Sequence, residues 1–201
     1  MTIGITDVTG LILAGGRATR MGGVDKGLQQ LNGEPLVTHV LQRLRPQVSS
    51  IMINANRHLD TYRAFGVPVY GDELQGFAGP LAGIHAGLAQ CRTPYMVTAP
   101  CDSPRLPADL VAHLSAALTQ GDSDVAVAAT GHGAALQRHP VFMLVKTTLL
   151  PVLASWLADG GRKVDDWLSS LRCAEAIFND ETAFENINTT EHLGDMARRL
   201  R

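Results

Sequence analysis

No run of apolar residues in this 201-residue chain approaches the roughly 18 that a helical membrane span needs. Residues 1–10 lack the basic, then apolar, then small-residue order of a signal peptide, so a cytoplasmic protein is expected. An excess of either charge is also missing. Seventeen Lys and Arg stand against nineteen Asp and Glu, a formal net charge of −2, which argues against a broad face for nucleic acid or any other polyanion. Charged residues make up only 18% of the chain, below the roughly 25% of typical domains. Cysteine is sparse. Cys91, Cys101 and Cys173 are odd in number and form no CxxC pair, which fits reduced thiols and gives a structural zinc site little support.

The chain has ample apolar material, 45% of residues, and enough length for a sizeable core without covalent staples. It also has glycine. Twenty glycines exceed the usual share of about 7%, and eleven of them lie in two stretches, six within 15–33 and five within 71–87.

Apolar runs at 8–13, 51–55, 67–70, 95–99, 125–129, 141–145 and 174–178 read as strands. Between them, helical spacing marks 36–44, 81–88, 107–118, 149–158 and 164–171, with a last helix from about residue 190 and at best a short one at 61–65. Asn32-Gly33 signals a turn. Strands too apolar to be half-exposed, alternating with helices, predict an α/β fold: one domain over 1–201, a three-layer sandwich whose mostly parallel sheet is covered by helices on both faces. No repeat, low-complexity tract or linker divides it. Ligands of such sheets bind beyond the carboxyl ends of the strands, which directs attention to the residues after Leu13, Ile53, Tyr70 and Ala99.

The loop LAGGRATRMGGVDK, residues 13–26, combines glycines that let backbone N–H groups approach an anion with the cations Arg20 and Lys26. It is not a Walker A loop, because Gly27 rather than Ser or Thr follows Lys26, and no G-x-G-x-x-G follows the first strand. A turn carrying solvated basic residues is the plain alternative.

The run LAGGRATRMGGVDKGL resembles the signature of nucleotidyltransferases with a glycosyltransferase-A-like fold, and is most similar to that of the molybdenum cofactor guanylyltransferases. The segments INAN within 51–56, GPLAG at 79–83, APCDSP at 99–104 and NIN at 186–188 resemble the same family in the same order, over nearly the whole chain. The resemblance implies transfer of GMP from GTP to the terminal phosphate of molybdopterin, with release of pyrophosphate and a requirement for Mg²⁺. It implies Asp102 as ligand of metal and nucleotide, and Arg20 and Lys26 as the residues that neutralise phosphate charge. Leu13, Ala14, Gly15, Gly16, Asn54 and Asp72 match nucleotide-contacting positions, and Asn186 and Asn188 fall near the pterin end of the site. Arg162, after Gly160-Gly161, is a candidate for the acceptor phosphate. Gly15-Gly16 after Leu13-Ala14 resembles the guanylyl rather than the cytidylyl type, favouring GTP over CTP. The family also implies transient partners among cofactor-biosynthesis proteins or acceptor enzymes.

Other readings stand beside these. A sugar-1-phosphate nucleotidyltransferase has a similar loop, but its usual glycine before Thr-Arg is Ala18 here. A nucleotide-binding regulator without turnover is disfavoured by the presence of both Lys26 and Asp102. Asp102, Asn54 and Asp72 are also residue types that initiate turns at strand ends. Asn188 followed by Glu191 has the form of a capping box. His39, His85 and His113 show no ligand-like pairing, Trp156 and Trp167 read as packing residues, and Cys101 has no base beside it to make it a nucleophile.

Overall fold

The computed structural model describes residues 2–15, 25–73 and 79–199. The apolar run at 8–13 forms β1 (Val8–Leu13). Asn32 and Gly33, both at positive φ, close the two-residue turn between β2 (Gln30–Leu31) and β3 (Glu34–Pro35). Such a turn needs left-handed backbone, which glycine and asparagine adopt most readily. There follow α1 (Leu36–Leu44), β4 (Ser50–Asn54), α2 (Leu59–Arg63), β5 (Val69–Tyr70), α3 (Pro80–Gln90) and β6 (Tyr95–Pro100). The second half comprises α4 (Leu110–Gln120), β7 (Val125–Thr130), β8 (Gln137–Lys146), α5 (Leu150–Ala158), α6 (Val164–Ser169), β9 (Cys173–Phe178) and α7 (Thr190–Arg199).

Seven strands form one sheet in the order β5-β4-β1-β6-β8-β7-β9. The expected mostly parallel α/β sheet is present, and one strand runs against it: β8 lies antiparallel between β6 and β7. Its ladder with β7 shifts register between Val127 and Ala128, which pair with Met143 and His139. Pro140 lies in the skipped stretch and has no N–H to donate. The carbonyl of Val141, beside it, instead accepts from Thr98 Oγ1 at 2.5 Å.

Alternation along β1 sends Val8 and Ile12 to one face and Leu11 to the other. On the first face α1 and α4 bury Val37, Val40, Leu41 and Leu44 with Leu110, Leu114 and Leu118. On the second, α3, α5 and α6 bury Leu81, Ile84, Leu153, Leu157 and the wholly enclosed Trp167. Gly87 on α3 packs so closely on Leu11 that a Cβ there would lie 2.5 Å from its Cδ2. A third, smaller cluster joins Leu31 and Leu36 to Ile187 and Met196, fastening α7 to the β2-β3 ribbon.

His139, near the start of β8, stacks on Phe184 at 4.4 Å and 10° between planes and bonds Thr130 Oγ1 through Nε2 at 2.9 Å. Burial lowers its pKa below the usual histidine value, against a smaller opposing influence from the Glu181 charge. A histidine whose folded pKa is depressed contributes stability that is complete above its unfolded pKa of about 6.5 and is lost as pH falls through the folded value. Wild-type protein is therefore expected to lose stability in urea titrations as pH falls below about 6.5. His139→Gln should flatten that slope; an unaltered slope would refute the assignment.

Candidate active site

Four parallel strands end flush. Leu13 pairs with Asn54 and with Pro100, and Asn54 pairs with Tyr70, so β1, β4, β5 and β6 release their loops from one row. Chain order reverses at β1, with β4 on one side and β6 on the other, the switch point at which a crevice opens in sheets of this kind. Leu13, Ala14 and Gly15 leave the row at its centre. Backbone bonds run past the strand ends: Ala14 N donates to Asn54 O at 2.8 Å and Cys101 N to Leu13 O at 3.0 Å.

On the β4-β5 side, Asn54 Nδ2 donates to Asp72 Oδ1 at 2.9 Å and to Tyr70 O at 3.3 Å. Asn56 grips the same carboxylate reciprocally, its Nδ2 donating to Asp72 Oδ2 at 2.8 Å while its Oδ1 accepts from Asp72 N at 2.8 Å. Each Asp72 oxygen thus takes one amide donor and keeps acceptor capacity for a ligand. A Cβ on Gly15 would lie 2.8 Å from Asn54 Oδ1, and one on Gly83 would collide with the same atom. The bare glycines let β1's loop and α3 close on Asn54.

On the β6 side, Lys26 Nζ donates to Asp102 Oδ2 at 3.1 Å and to Asn188 Oδ1 at 2.5 Å. Two of its three N–H bonds are so engaged, leaving one for a ligand. The NIN segment is stitched to the loop after β6. Ile187 N donates to Asp102 O at 2.9 Å, Ser103 Oγ to Asn186 Oδ1 at 2.5 Å, and Asn188 Nδ2 to Asn186 O at 3.3 Å. Asn188 does not cap α7. Thr189 holds that position, its Oγ1 accepting from His192 N at 3.1 Å, because the Asn188 amide is taken by Lys26 and Asn186.

Beneath Lys26, Asp25 turns inward. It is 8% exposed and its Oδ1 accepts from Gly27 N at 3.2 Å and from Tyr62 Oη at 2.6 Å. Gly27 fits between Tyr62 and Cys101, where a Cβ would lie 2.5 Å from Tyr62 Oη and 3.1 Å from Cys101 Sγ. Burial, then the nearby Cys101 and Asp25, pushes the Tyr62 phenol far above its ordinary pKa, so it remains a hydrogen donor. Burial likewise raises the Cys101 thiol, with Asp102 and Asp25 adding to the effect, which agrees with a packing role for that cysteine.

Arg162 engages backbone carbonyls. Its Nη1 donates to Leu157 O at 3.0 Å and Gly161 O at 2.7 Å, closing the end of α5, while its own carbonyl lies 3.8 Å from where a Cβ on Gly79 would be. Gly16 and Arg20 lie outside the described residues. Among the described residues, no three or more His, Cys, Asp or Glu side chains cluster to hold a metal ion. Asp102, with a 10% exposed side chain at the head of β6, is a single hard carboxylate. Magnesium is commonly held by one or two carboxylates together with substrate phosphates, and this donor set fits that arrangement.

Four participants escape a reading of the sequence. Asn56 lies in the INAN segment but carries no chemistry until Asp72 is placed against it. Ser103 takes its place only through the predicted Asn186, 83 residues further along the chain. Tyr62 and Asp25 are joined only by the fold, 37 residues apart in sequence. Gly83 did leave a signal: glycines at 83 and 87, one turn apart in a helix, weaken the helix and mark a face where another backbone or side chain comes close.

Comparison with known proteins adds lineage to this geometry. Residues 10–174 match the model of the MobA-like NTP transferase domain. A protein of Bordetella petrii named molybdenum cofactor guanylyltransferase is 54% identical over 188 residues, covering 94% of this chain and 96% of its own. A protein of the same name from Ralstonia nicotianae is 51% identical over 199 residues, covering 96% and 98%. Among solved structures, molybdopterin-guanine dinucleotide biosynthesis protein A of Archaeoglobus fulgidus superposes with a TM-score of 0.75 at 22% identity, over 96% of this chain and 98% of that one. CMP:2-keto-3-deoxy-manno-octonic acid synthetase, solved with CTP, superposes with a TM-score of 0.79 at 12% identity, over 97% and 98%. At these identities the superpositions establish the shared fold.

Gly27→Ala tests how the Lys26 corner is built. Overpacking of a closed core typically costs about 1–3 kcal/mol, so the variant should show a lowered urea midpoint. Its crystal structure should show Lys26 Nζ and Asp102 Oδ2 further apart than their present 3.1 Å. A variant with wild-type stability and the same separation would contradict the packing described.

Proposed function

Because the chain belongs to the MobA-like NTP transferase family, we propose that it is a molybdenum cofactor guanylyltransferase: it transfers GMP from GTP to the terminal phosphate of molybdopterin and releases pyrophosphate. The observation that carries this proposal is the bridge by Lys26 Nζ between Asp102 Oδ2 and Asn188 Oδ1, beside the crevice opened by β1 and β6. It joins a cation for phosphate, a carboxylate for metal and an amide segment for the acceptor in one contact.

The nucleotide lies over the strand row, its base toward Leu13, Ala14, Gly15 and Gly16. Asp72, aimed by Asn54 and Asn56, presents two acceptor oxygens of the kind that suit adjacent N–H donors on a guanine edge. A phosphate oxygen of the acceptor forms a bond to the α-phosphorus of GTP as the bond to the β-phosphate oxygen breaks, and pyrophosphate leaves with that electron pair. A phosphate monoester is largely dianionic near neutrality and needs little general-base help, so positioning and charge neutralisation are the protein's main tasks.

Lys26 and Arg20 offset the repulsion between acceptor and triphosphate, Lys26 through its remaining N–H. Asp102 is the carboxylate that would hold the metal. Mg²⁺ bound there with the phosphates would supply charge neutralisation. Asn186 and Asn188 orient the acceptor, and Arg162 is a further contact for its phosphate.

Residues 1–201 act as one nucleotidyltransferase domain. Among the described residues, no helix is long and apolar enough to cross a membrane. We place the protein in the cytoplasm, in transient contact with proteins that deliver or accept the cofactor, and independent of nucleic acid.

The test supplies Mg²⁺, molybdopterin-bearing acceptor and one of GTP, CTP or ATP, and follows pyrophosphate. GTP is expected to support turnover well above the others. Turnover with CTP alone would transfer the assignment to the cytidylyl type, and nucleotide binding without turnover would favour a regulator. Asp102→Asn should lower kcat/KM by at least about 100-fold, the scale seen when one preorganised charge contact is removed. Its thermal unfolding should match wild type, and undiminished turnover by this variant would remove Asp102 from the mechanism.

A further inference from the structure

The Lys26 side chain is long, and such a chain loses considerable rotamer freedom when held at one point. Its backbone must therefore be fixed if the ammonium is to meet Asp102 and a phosphate together. The 3-10 turn Lys26–Leu28 that carries it is short, and an isolated turn of this length has little stability of its own. Three contacts hold it from below, and all converge on Asp25 and Gly27. Asp25 caps the turn, accepting from Gly27 N through its side chain and from Leu28 N through its carbonyl at 3.2 Å. Tyr62, on α2 and wholly buried, donates to the same carboxylate oxygen at 2.6 Å. Gly27 is seated against both the Tyr62 hydroxyl and the Cys101 thiol.

Cys101 and Gly27 directly adjoin Asp102 and Lys26, so the seating of one pair sets the spacing of the other. Asp25 and Lys26 also face opposite ways. The carboxylate points into the core and is held by a phenol, whereas the ammonium points into the crevice and is held by Asp102 and Asn188. Had Asp25 turned outward, it would compete with phosphate for its neighbour's charge.

We propose that the Tyr62 hydroxyl and the Asp25 carboxylate are positioning residues for Lys26: together they lock the turn so that its ammonium is presented to the nucleotide phosphates. Neither touches substrate. Tyr62 stands on α2, just beyond the strand that contributes Asn54, so the anchor also ties the phosphate corner to the element that follows the base-side residues. This inference rests on the nucleotidyl-transfer function proposed above.

Tyr62→Phe removes the hydroxyl and leaves the ring in the core. The measurement is binding of a fluorescent GTP analogue with Mg²⁺ in a double-mutant cycle: wild type, Tyr62→Phe, Lys26→Ala and the double variant. Tyr62→Phe is expected to weaken binding about 10-fold when Lys26 is present and less than about 2-fold when it is absent, since positioned hydrogen bonds act through the group they orient. Equal weakening in both backgrounds would mean a general structural role and would overturn the inference, as would unchanged binding in the Lys26 background.

Hydrogen exchange at the Gly27 amide needs no nucleotide and should accelerate about 10-fold in Tyr62→Phe relative to amides of β1 and β6, as expected when a local bond is lost without global unfolding. Unaltered exchange would overturn the inference whatever the protein binds. Wild-type protein with a protected Gly27 amide but no affinity for GTP would instead count against the guanylyl assignment. Asp25→Asn keeps an acceptor oxygen and should show a smaller loss in the same cycle; a loss equal to that of Asp25→Ala would overturn the positioning role of the carboxylate.

Discussion

The pairings of Leu13 with Asn54 and Pro100, and of Asn54 with Tyr70, bring four parallel strands to an end in one row. The rest of the site depends on this register. A slip of one residue in any pair would turn an alternating strand over and send Asn54 or the residues around Asp102 to the opposite face. Because both faces are packed, by α1 and α4 on one side and by α3, α5 and α6 on the other, such a slip would bury polar groups among leucines. The hydrophobic core thus enforces the alignment of the polar residues at its rim.

Two kinds of contact convert that alignment into a site. Around Asp72 the interactions are amide to carboxylate and reciprocal, which fixes an acceptor surface without introducing a cation. Around Asp102 the interaction is an ion pair supplemented by an amide oxygen. The two corners therefore differ in electrostatic character over one row of strand ends, a carboxylate held by neutral amides at one and an ion pair at the other. The near-zero net charge of the chain agrees with a site whose cation is local, the Lys26 ammonium, and not part of a basic surface.

Much of this architecture is legible in the residues. The apolar run closing on Ala14-Gly15 announces a buried strand with a loop at its carboxyl end, and Leu36, Val37, Val40, Leu41 and Leu44 fall on one helical face that is wholly buried. What stays hidden is long-range or directional. Apolar alternation carries no sign for strand direction, so β8 could not be known to run against its neighbours. Pro107 opens a predicted helix, yet α4 begins at Leu110 with Asp109 before it, because residues 107–109 are spent on a turn. Asn188 and Thr189 are both good capping residues, and local chemistry cannot choose between them. The choice is made by Lys26, 162 residues away in sequence. Tyr62 shows the same limit, since an aromatic ring in a short helix announces burial and says nothing of what its hydroxyl holds.

The docking of Ile187 against Asp102 O has a kinetic meaning. Loop-closure entropy must be met before distant pairings reward it, and contacts of large sequence separation form slowly. The parallel strands β1, β4 and β5 can associate within the first third of the chain. The pairing of β6 with β8 waits for residue 146, and the Lys26–Asn188 contact waits longer still. In synthesis from the amino terminus, the residues of the Asp72 corner are therefore available before those of the Lys26 corner. The last helix, α7, closes over the β2-β3 ribbon and brings the NIN segment with it, so the charge cluster is completed only once residues 186–188 are in place.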